Sequence, residues 1–106
     1  MTDAPSAKAL KKASDDRIAL YDALLSLRAR EEVDAFLSDL CTPSELRAFA
    51  ERWAVARLLD EQAQTYREIA LAAGASPTTV VRVARSLKDM PHQGYRLVLD
   101  RLKTKA

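Results

Sequence analysis

The sequence predicts an all-α fold of about six helices that contains a helix-turn-helix. Apolar residues recur at the three- and four-residue spacing of amphipathic helices, and no segment alternates in the way that a strand does. Helix-capping residues precede several of these segments. The composition has only 2 Gly and 4 Pro in 106 residues, with 48% hydrophobic and 30% charged residues. Such a composition is typical of a folded, mostly helical protein.

The N-terminal part is predicted to consist of an arm followed by two helices. Residues 1–13 mix Ala, Lys, Ser and Pro without an apolar face, which indicates a flexible arm. Whether the lysines of this arm contact DNA phosphates is left open. A helix is predicted to begin at Ser14 and to continue to Leu27, and residues 31–40 form the next one. The first helix has more apolar residues than one neighbouring helix would cover. Residues 14–106 are predicted to form a single domain.

A third helix is predicted to start at CTPSEL. Thr42 is its cap, Pro43 lies in its first turn, and Glu45 three residues after the cap completes a capping box. The helix runs to about Leu59, and the polar linker DEQAQ follows without the glycine that would define its turn. The residues expected to face inward are Leu46, Phe49, Ala50, Trp53, Val55, Ala56 and Leu59.

Residues 65–87 are predicted to form the helix-turn-helix. Its first helix begins with a second capping box, Thr65 and Glu68, and ends at Gly74 in a conformation that favours glycine. Its second helix begins with a serine cap followed by proline. The residues whose size and spacing suit two closely crossed helices are Ala70, Gly74, Val80 and Val83.

The last predicted helix is GYRLVLDRL, residues 94–102. It follows a turn that contains His92. The apolar residues that make it amphipathic are Tyr95, Leu97, Val98 and Leu102.

Charge is distributed unevenly along the chain, although the net charge is only +2. Residues 31–64 contain eight acidic and three basic side chains, whereas residues 65–106 contain three acidic and eight basic side chains. The basic part includes the predicted helix-turn-helix. Double-stranded DNA is therefore the expected partner.

Several classes of protein are excluded by the sequence. One cysteine, Cys41, and one histidine, His92, cannot build an internal disulfide or a metal site of clustered Cys and His. The cysteine is expected to be a small buried residue rather than a redox switch. No nucleophile and base pattern or phosphate loop is present, so we predict no enzyme and no cofactor. Without a membrane span or a signal core, a cytoplasmic protein is expected.

Five segments resemble the tryptophan-repressor superfamily, and most closely its YerC/YecD branch of TrpR-related proteins: CTPSE, ERWAVARLL, TYREIA, GASPTTVVRVARSL and GYRLVLDRL. The resemblance implies a homodimer in which the N-terminal helices of two subunits interlock. It also implies a transcriptional regulator, a repressor, that places two recognition helices in successive major grooves of a pseudo-palindromic operator.

The candidate DNA contacts lie mainly at the start and on the outer face of the second helix of the motif. Arginine can pair with guanine there, and threonine methyl groups and valine can touch a thymine methyl. The resemblance adds Arg67 on the first helix, and Lys88 is expected to meet a phosphate. The full set is Arg67, Ser76, Pro77, Thr78, Thr79, Val81, Arg82, Arg85 and Lys88.

The resemblance also implies a possible effector pocket. Arg52 and Arg82 match two ligand-holding arginines of the tryptophan repressor, and Thr42 matches a pocket threonine. Val83 stands where the repressor has glycine, so its isopropyl group is expected to intrude on the space for an indole ring. Tryptophan is therefore not the expected effector. Arg82 has two other interpretations, a DNA contact or an ion pair with Glu51.

Two other interpretations of the whole chain stay open. In the first, the helix-turn-helix is only a packing unit, and the apolar N-terminal helices bind a partner protein. That interpretation would be favoured if the basic side chains of the motif lay on different faces or were all paired with acids. The second is an amino-acid-responsive repressor of the same superfamily.

Overall fold

A computed structural model describes residues 6–104, and within them the fold is all-α as predicted. The six helices are α1 Ala7–Leu25, α2 Arg30–Leu40, α3 Pro43–Glu61, α4 Tyr66–Ala73, α5 Pro77–Lys88 and α6 Gly94–Thr104. They belong to two compact units that divide between Cys41 and Thr42. The first unit holds α1 and α2, and the second holds α3 to α6. That residues 14–106 form a single domain stays a prediction.

The predicted start of the first helix was wrong. α1 begins at Ala7, and Ser14 lies inside it instead of capping it. Ser6 is the actual cap, because its Oγ accepts a hydrogen bond from the backbone N–H of Ala9 at 3.1 Å. The predicted N-terminal arm is thus helical from Ala7 onward, and residues 1–5 lie outside the described residues.

The first turns of α1 are stabilised by interactions that an apolar periodicity does not reveal. Lys11 pairs with Asp15 at 3.2 Å, and Lys12 pairs with Asp16 at 2.8 Å. Both pairs are four residues apart and exposed, so each contributes about 0.3–0.5 kcal/mol. Local charge pairs and the serine cap therefore extend a helix into a segment that has no apolar face.

The first unit leaves many of its large apolar side chains exposed. No residue of α1 or α2 is buried. Cys41, predicted to be buried, is half-buried, and it ends α2 with its N–H donating to the Leu37 carbonyl at 2.8 Å. The exposed large apolar residues of this unit are Leu10, Ile18, Tyr21, Leu24, Leu25, Val33 and Leu40. The surplus of apolar surface expected from the sequence is thus present.

The second unit has its core where the helix-turn-helix packs on α3. The fully buried or nearly buried residues are Val55, Ala56, Ile69, Ala70, Val80, Val83, Ala84 and Leu99. Ala70, Val80 and Val83 occupy the crossing of α4 and α5, as their spacing predicts. The same prediction was wrong for Gly74, because a Cβ on it would meet no atom within 4 Å. The core thus fixes the relative position of the two helices of the motif.

Five predicted apolar packing positions of this unit are exposed: Phe49, Ala50, Leu97, Val98 and Leu102. Phe49 is 47% exposed, and the guanidinium of Arg52 lies over its ring at 5.0 Å. In α6 the buried residue is Leu99, whereas the predicted Leu97 and Val98 are exposed. Apolar residues occur on both sides of α6, so periodicity alone did not identify the side that packs on α3 and α5.

The linker after α3 turns through a left-handed residue. Gln62 ends α3 with φ 56° and ψ 29°, a conformation that usually requires glycine. Just before it, Asp60 binds α6 through the guanidinium of Arg96 and through Lys103 Nζ at 2.7 Å. The turn and these ion pairs together place α6 beside the end of α3.

No helix within residues 6–104 is long and apolar enough to cross a membrane. The same residues contain no group of three or more His, Cys, Asp or Glu side chains that could hold a metal ion.

Candidate nucleic-acid interface

The first helix of the motif starts with the predicted capping box. The backbone N–H of Glu68 donates to Thr65 Oγ1 at 3.2 Å, and the backbone N–H of Thr65 donates to the Glu68 carboxylate at 2.9 Å. That backbone hydrogen bond is the main reason why the pKa of Glu68 lies below its ordinary value, and the Thr65 side chain adds to it. The reciprocal bonds define the start of α4, and they place Arg67 in its exposed first turn.

The turn between the two helices has the predicted chemistry. Gly74 has φ 66°, which only glycine adopts freely, and the N–H of Ala75 reaches back to the Ala70 carbonyl at 3.0 Å. Ser76 then caps α5 by accepting a hydrogen bond from the Thr79 N–H at 3.1 Å. The Ser76 and Thr79 hydroxyl oxygens also lie 3.0 Å apart. Two of the three predicted DNA-contacting hydroxyls, those of Ser76 and Thr79, are therefore engaged with the helix cap.

The second helix of the motif, α5, has one buried and one exposed face. Its buried residues are Val80, Val83 and Ala84. The predicted contacts Thr78, Val81, Arg82 and Arg85 are all exposed, and their spacing of three, four and seven residues puts them in one stripe. Val81 is 50% exposed, although valine commonly lies in a core. An apolar methyl-bearing side chain is thus presented beside two arginines.

The basic side chains of the motif are not neutralised by neighbouring acids. Within residues 6–104, none of Arg67, Arg82, Arg85 and Lys88 forms an ion pair with a carboxylate. The proposed pair between Arg82 and Glu51 is accordingly absent from the described part of the chain. If the motif were only a packing unit, these basic side chains would be expected to pair with acids, and they do not do so in the described part of the chain.

Tyr66 is a residue that sequence reasoning missed. Lys88 Nζ donates to Tyr66 Oη at 3.3 Å and lies 5.9 Å from the centre of its ring. These residues are 22 positions apart, at the first position of α4 and the last of α5. Only the packing of the two helices brings them together, so no local sequence signal would have identified the pair.

The residues of the possible effector pocket have different environments. Thr42 is exposed and caps α3, with its Oγ1 accepting from the Glu45 N–H at 3.2 Å. Arg52 lies over the Phe49 ring. Val83 is only 1% exposed and belongs to the core cluster. Its isopropyl group is therefore enclosed by core side chains.

Trp53, which was predicted to face inward, also lines a cavity. It packs against the core cluster, and its ring stacks on Tyr95 with centres 6.4 Å apart and planes 20° apart. The two rings also line an apolar cavity of about 450 Å³ together with Met90 and His92. His92 lies in the turn before α6, as predicted.

The arrangement of capped helices around a left-handed glycine turn defines a helix-turn-helix protein. The model of the family described as Trp repressor protein matches residues 17–103. The chain belongs to the Trp repressor family, which is a family of DNA-binding regulators.

Known relatives and solved structures agree with this assignment. The chain is 42% identical over 84 residues to the uncharacterized protein YerC of Bacillus subtilis strain 168, and this alignment covers 79% of each chain. It is similar to a TrpR-like protein from Eubacterium eligens, with 40% identity, a TM-score of 0.75 and coverage of 80% of this chain and 86% of the other. A candidate Trp repressor from Staphylococcus aureus has 37% identity and a TM-score of 0.76, over 94% and 96% of the two chains.

Proposed function

We propose that the chain is a sequence-specific DNA-binding transcriptional regulator, a repressor, that reads a pseudo-palindromic operator as a homodimer. The observation that carries this proposal is the exposed stripe on α5, where Val81 lies beside Arg82 and Arg85 and neither arginine pairs with a carboxylate within residues 6–104. A helix N-terminus and outer face of this kind fit the major groove. A cytoplasmic location is part of the proposal.

The contacts divide into two groups by chemistry. Arg82 and Arg85 have the two-pronged guanidinium that pairs with the edge of guanine, and Val81 suits a thymine methyl group. Arg67 and Lys88, at the two ends of the motif, are assigned to the DNA backbone. The smaller contacts at the start of α5 come from Ser76, Pro77, Thr78 and Thr79, where the positive end of the helix dipole favours a phosphate.

A second subunit is assigned to the exposed apolar surface of the first unit. Ile18 is 54% exposed, Leu25 82% and Leu40 51%, and no side chain of α1 or α2 is buried. Burial of apolar surface contributes about 25 cal/mol per Å², so helices of this kind favour association. A symmetric dimer would also present two copies of α5, about one turn of DNA apart.

Tryptophan is not proposed as the effector. Val83 is enclosed by the core at the position assigned to the ring of such a ligand. A ring could enter only if core side chains moved, which costs several kcal/mol in a well-packed interior. An effector role for Thr42, Arg52 and Arg82 stays a prediction without a ligand assigned.

Selection of bound duplexes from a random pool tests this function. The full chain should recover sequences that share an inverted repeat with half-sites about 10 base pairs apart. Recovery of unrelated sequences, or of none above background, would contradict the proposal. Arg67→Ala should weaken binding to every recovered duplex to a similar degree, because a backbone contact carries no sequence information.

A further inference from the structure

A second cavity lies within the second unit, behind the helix-turn-helix. It has a volume of about 420 Å³ and lies between the end of α3, the linker, α4, α5 and α6. This volume is in the range of pockets that bind small molecules, about 300–1,000 Å³. Its polar wall consists of Gln62, Gln64, Tyr66, Lys88, Arg96 and Asp60.

The charge of this wall favours an anion. Asp60 supplies its acidic group, but that carboxylate is only 11% exposed and already binds both Arg96 and Lys103. Lys88 has no carboxylate partner among residues 6–104, and Tyr66 accepts its hydrogen bond. The ammonium group is therefore available to a negatively charged occupant at the edge of the cavity.

Arg96 adds a second cation to the same wall. Its Nε is buried and has no hydrogen-bond acceptor within the described part of the chain. Its ion pair with Asp100 Oδ1 spans 3.6 Å, which is too long for a hydrogen bond. Because Nε is buried, Arg96 meets an occupant of the cavity through the charge of its guanidinium rather than through this donor.

The rest of the cavity is apolar. Ile69 is 1% exposed and contributes to the lining together with Leu59, Ala84 and Leu87. An occupant that places an anionic group at Lys88 and Arg96 would thus rest its body on aliphatic side chains. The cavity combines the two features that orient a small ligand, an apolar surface and a few convergent polar groups.

We infer that this cavity is a binding site for a small organic anion with an apolar body, such as an aromatic carboxylate. None of the residues assigned to the possible effector pocket, Thr42, Arg52, Arg82 and Val83, lines it. The site is thus distinct from the pocket that the family resemblance implies. Its existence does not depend on DNA binding, so the two proposals can fail separately.

Benzoate is a suitable probe, with benzyl alcohol as its uncharged match. In amide NMR spectra of the full chain, benzoate should cause saturable shifts at Gln62, Tyr66 and Lys88 with a dissociation constant of about 1–10 mM. Benzyl alcohol should bind at least about tenfold more weakly, because it lacks the charge that meets the two cations. Non-saturable shifts, or shifts confined to the cavity beside Trp53, would overturn the inference.

Two lysine variants distinguish binding of benzoate at this cavity from a general effect of the protein's charge. Lys88→Gln should weaken benzoate binding at least about tenfold, since it removes a charge-assisted hydrogen bond. Lys12→Gln makes the same change of charge on α1 and should leave the dissociation constant unchanged. Equal weakening by the two variants, or none by Lys88→Gln in a spectrum that shows a folded chain, would refute the site.

Discussion

Lys88 and Tyr66 join the two ends of the helix-turn-helix, with Lys88 Nζ 3.3 Å from Tyr66 Oη. The tyrosine opens α4, and the lysine ends α5. Both side chains are exposed, so the contact itself adds little to the free energy of unfolding. Its consequence is positional, because it holds an ammonium group next to the start of α4, where the helix dipole already favours an anion.

Replacing Gln62 by glycine should stabilise the fold. Gln62 has φ 56°, in the left-handed region that costs a side-chain-bearing residue about 1–2 kcal/mol. Glycine removes this strain but loses about 0.5–1 kcal/mol through the greater freedom of the unfolded chain. The net gain in the free energy of unfolding should be about 0.5–1 kcal/mol by urea denaturation.

Gln64→Gly is the matched control. Gln64 lies two residues away in the same linker and does not have a positive φ. Here only the entropic cost remains, so this variant should be less stable than the unmodified chain by about 0.5–1 kcal/mol. A stabilisation by both variants, or by neither, would show that the conformation of Gln62 is not strained.

Asp60 should make stability depend on pH in the acidic range. The hydrogen bond from Lys103 is the main cause that lowers the pKa of Asp60, and the charge of Arg96 adds to it, whereas burial acts in the opposite direction. The folded pKa is below the unfolded value of about 3.9. The contribution is therefore fully present above that value, and it is lost as the pH falls through the lowered pKa.

Asp60→Asn tests this dependence. At pH 7 it should reduce the free energy of unfolding by about 1–3 kcal/mol, because two cations lose a charged acceptor. The difference from the unmodified chain should shrink as the pH falls below about 4. Asp100→Asn is the control: Asp100 is 60% exposed and 3.6 Å from Arg96, so its effect should stay within about 0.5 kcal/mol. A difference between Asp60→Asn and the unmodified chain that does not change with pH would contradict this account.

Tryptophan should not bind the unmodified chain with micromolar affinity in a calorimetric titration. Val83 is 1% exposed in the core, and the family resemblance places the indole ring of the ligand beside this residue. Val83→Gly should create the space but destabilise the fold by about 3 kcal/mol, through a lost core side chain and a glycine inside a helix. Micromolar binding of tryptophan to the unmodified protein would refute the steric argument.

The parts of the fold that the sequence predicted well are those with local causes. Thr42, Thr65, Ser76 and Gly74 each define a helix end by bonding to backbone groups within a few residues. The crossing of α4 and α5 was predicted as well, since Ala70, Val80 and Val83 follow one regular spacing. Capping and periodicity are both readable from a single chain.

The features of the fold that the sequence did not predict depend on contacts between residues distant in sequence, or occur where the apolar residues follow no one-sided pattern. Leu99 was missed because α6 is apolar on both sides, and packing on α3 and α5 decides which side is buried. The pairing of Tyr66 with Lys88 requires two helices to be folded together. The early start of α1 could not be predicted from apolar periodicity, because the serine cap and the charge pairs that stabilise this part of the helix are exposed to solvent.

Fluorescence anisotropy with a selected duplex over a series of salt concentrations tests the central claim most directly. The logarithm of the affinity should fall linearly with the logarithm of salt concentration, and Arg85→Ala should weaken binding at least about tenfold. Arg101→Ala, which removes the same charge from α6, should leave the affinity nearly unchanged. Absent or salt-independent binding, or equal effects of the two variants, would contradict the assignment of the exposed face of α5 as the DNA-reading surface.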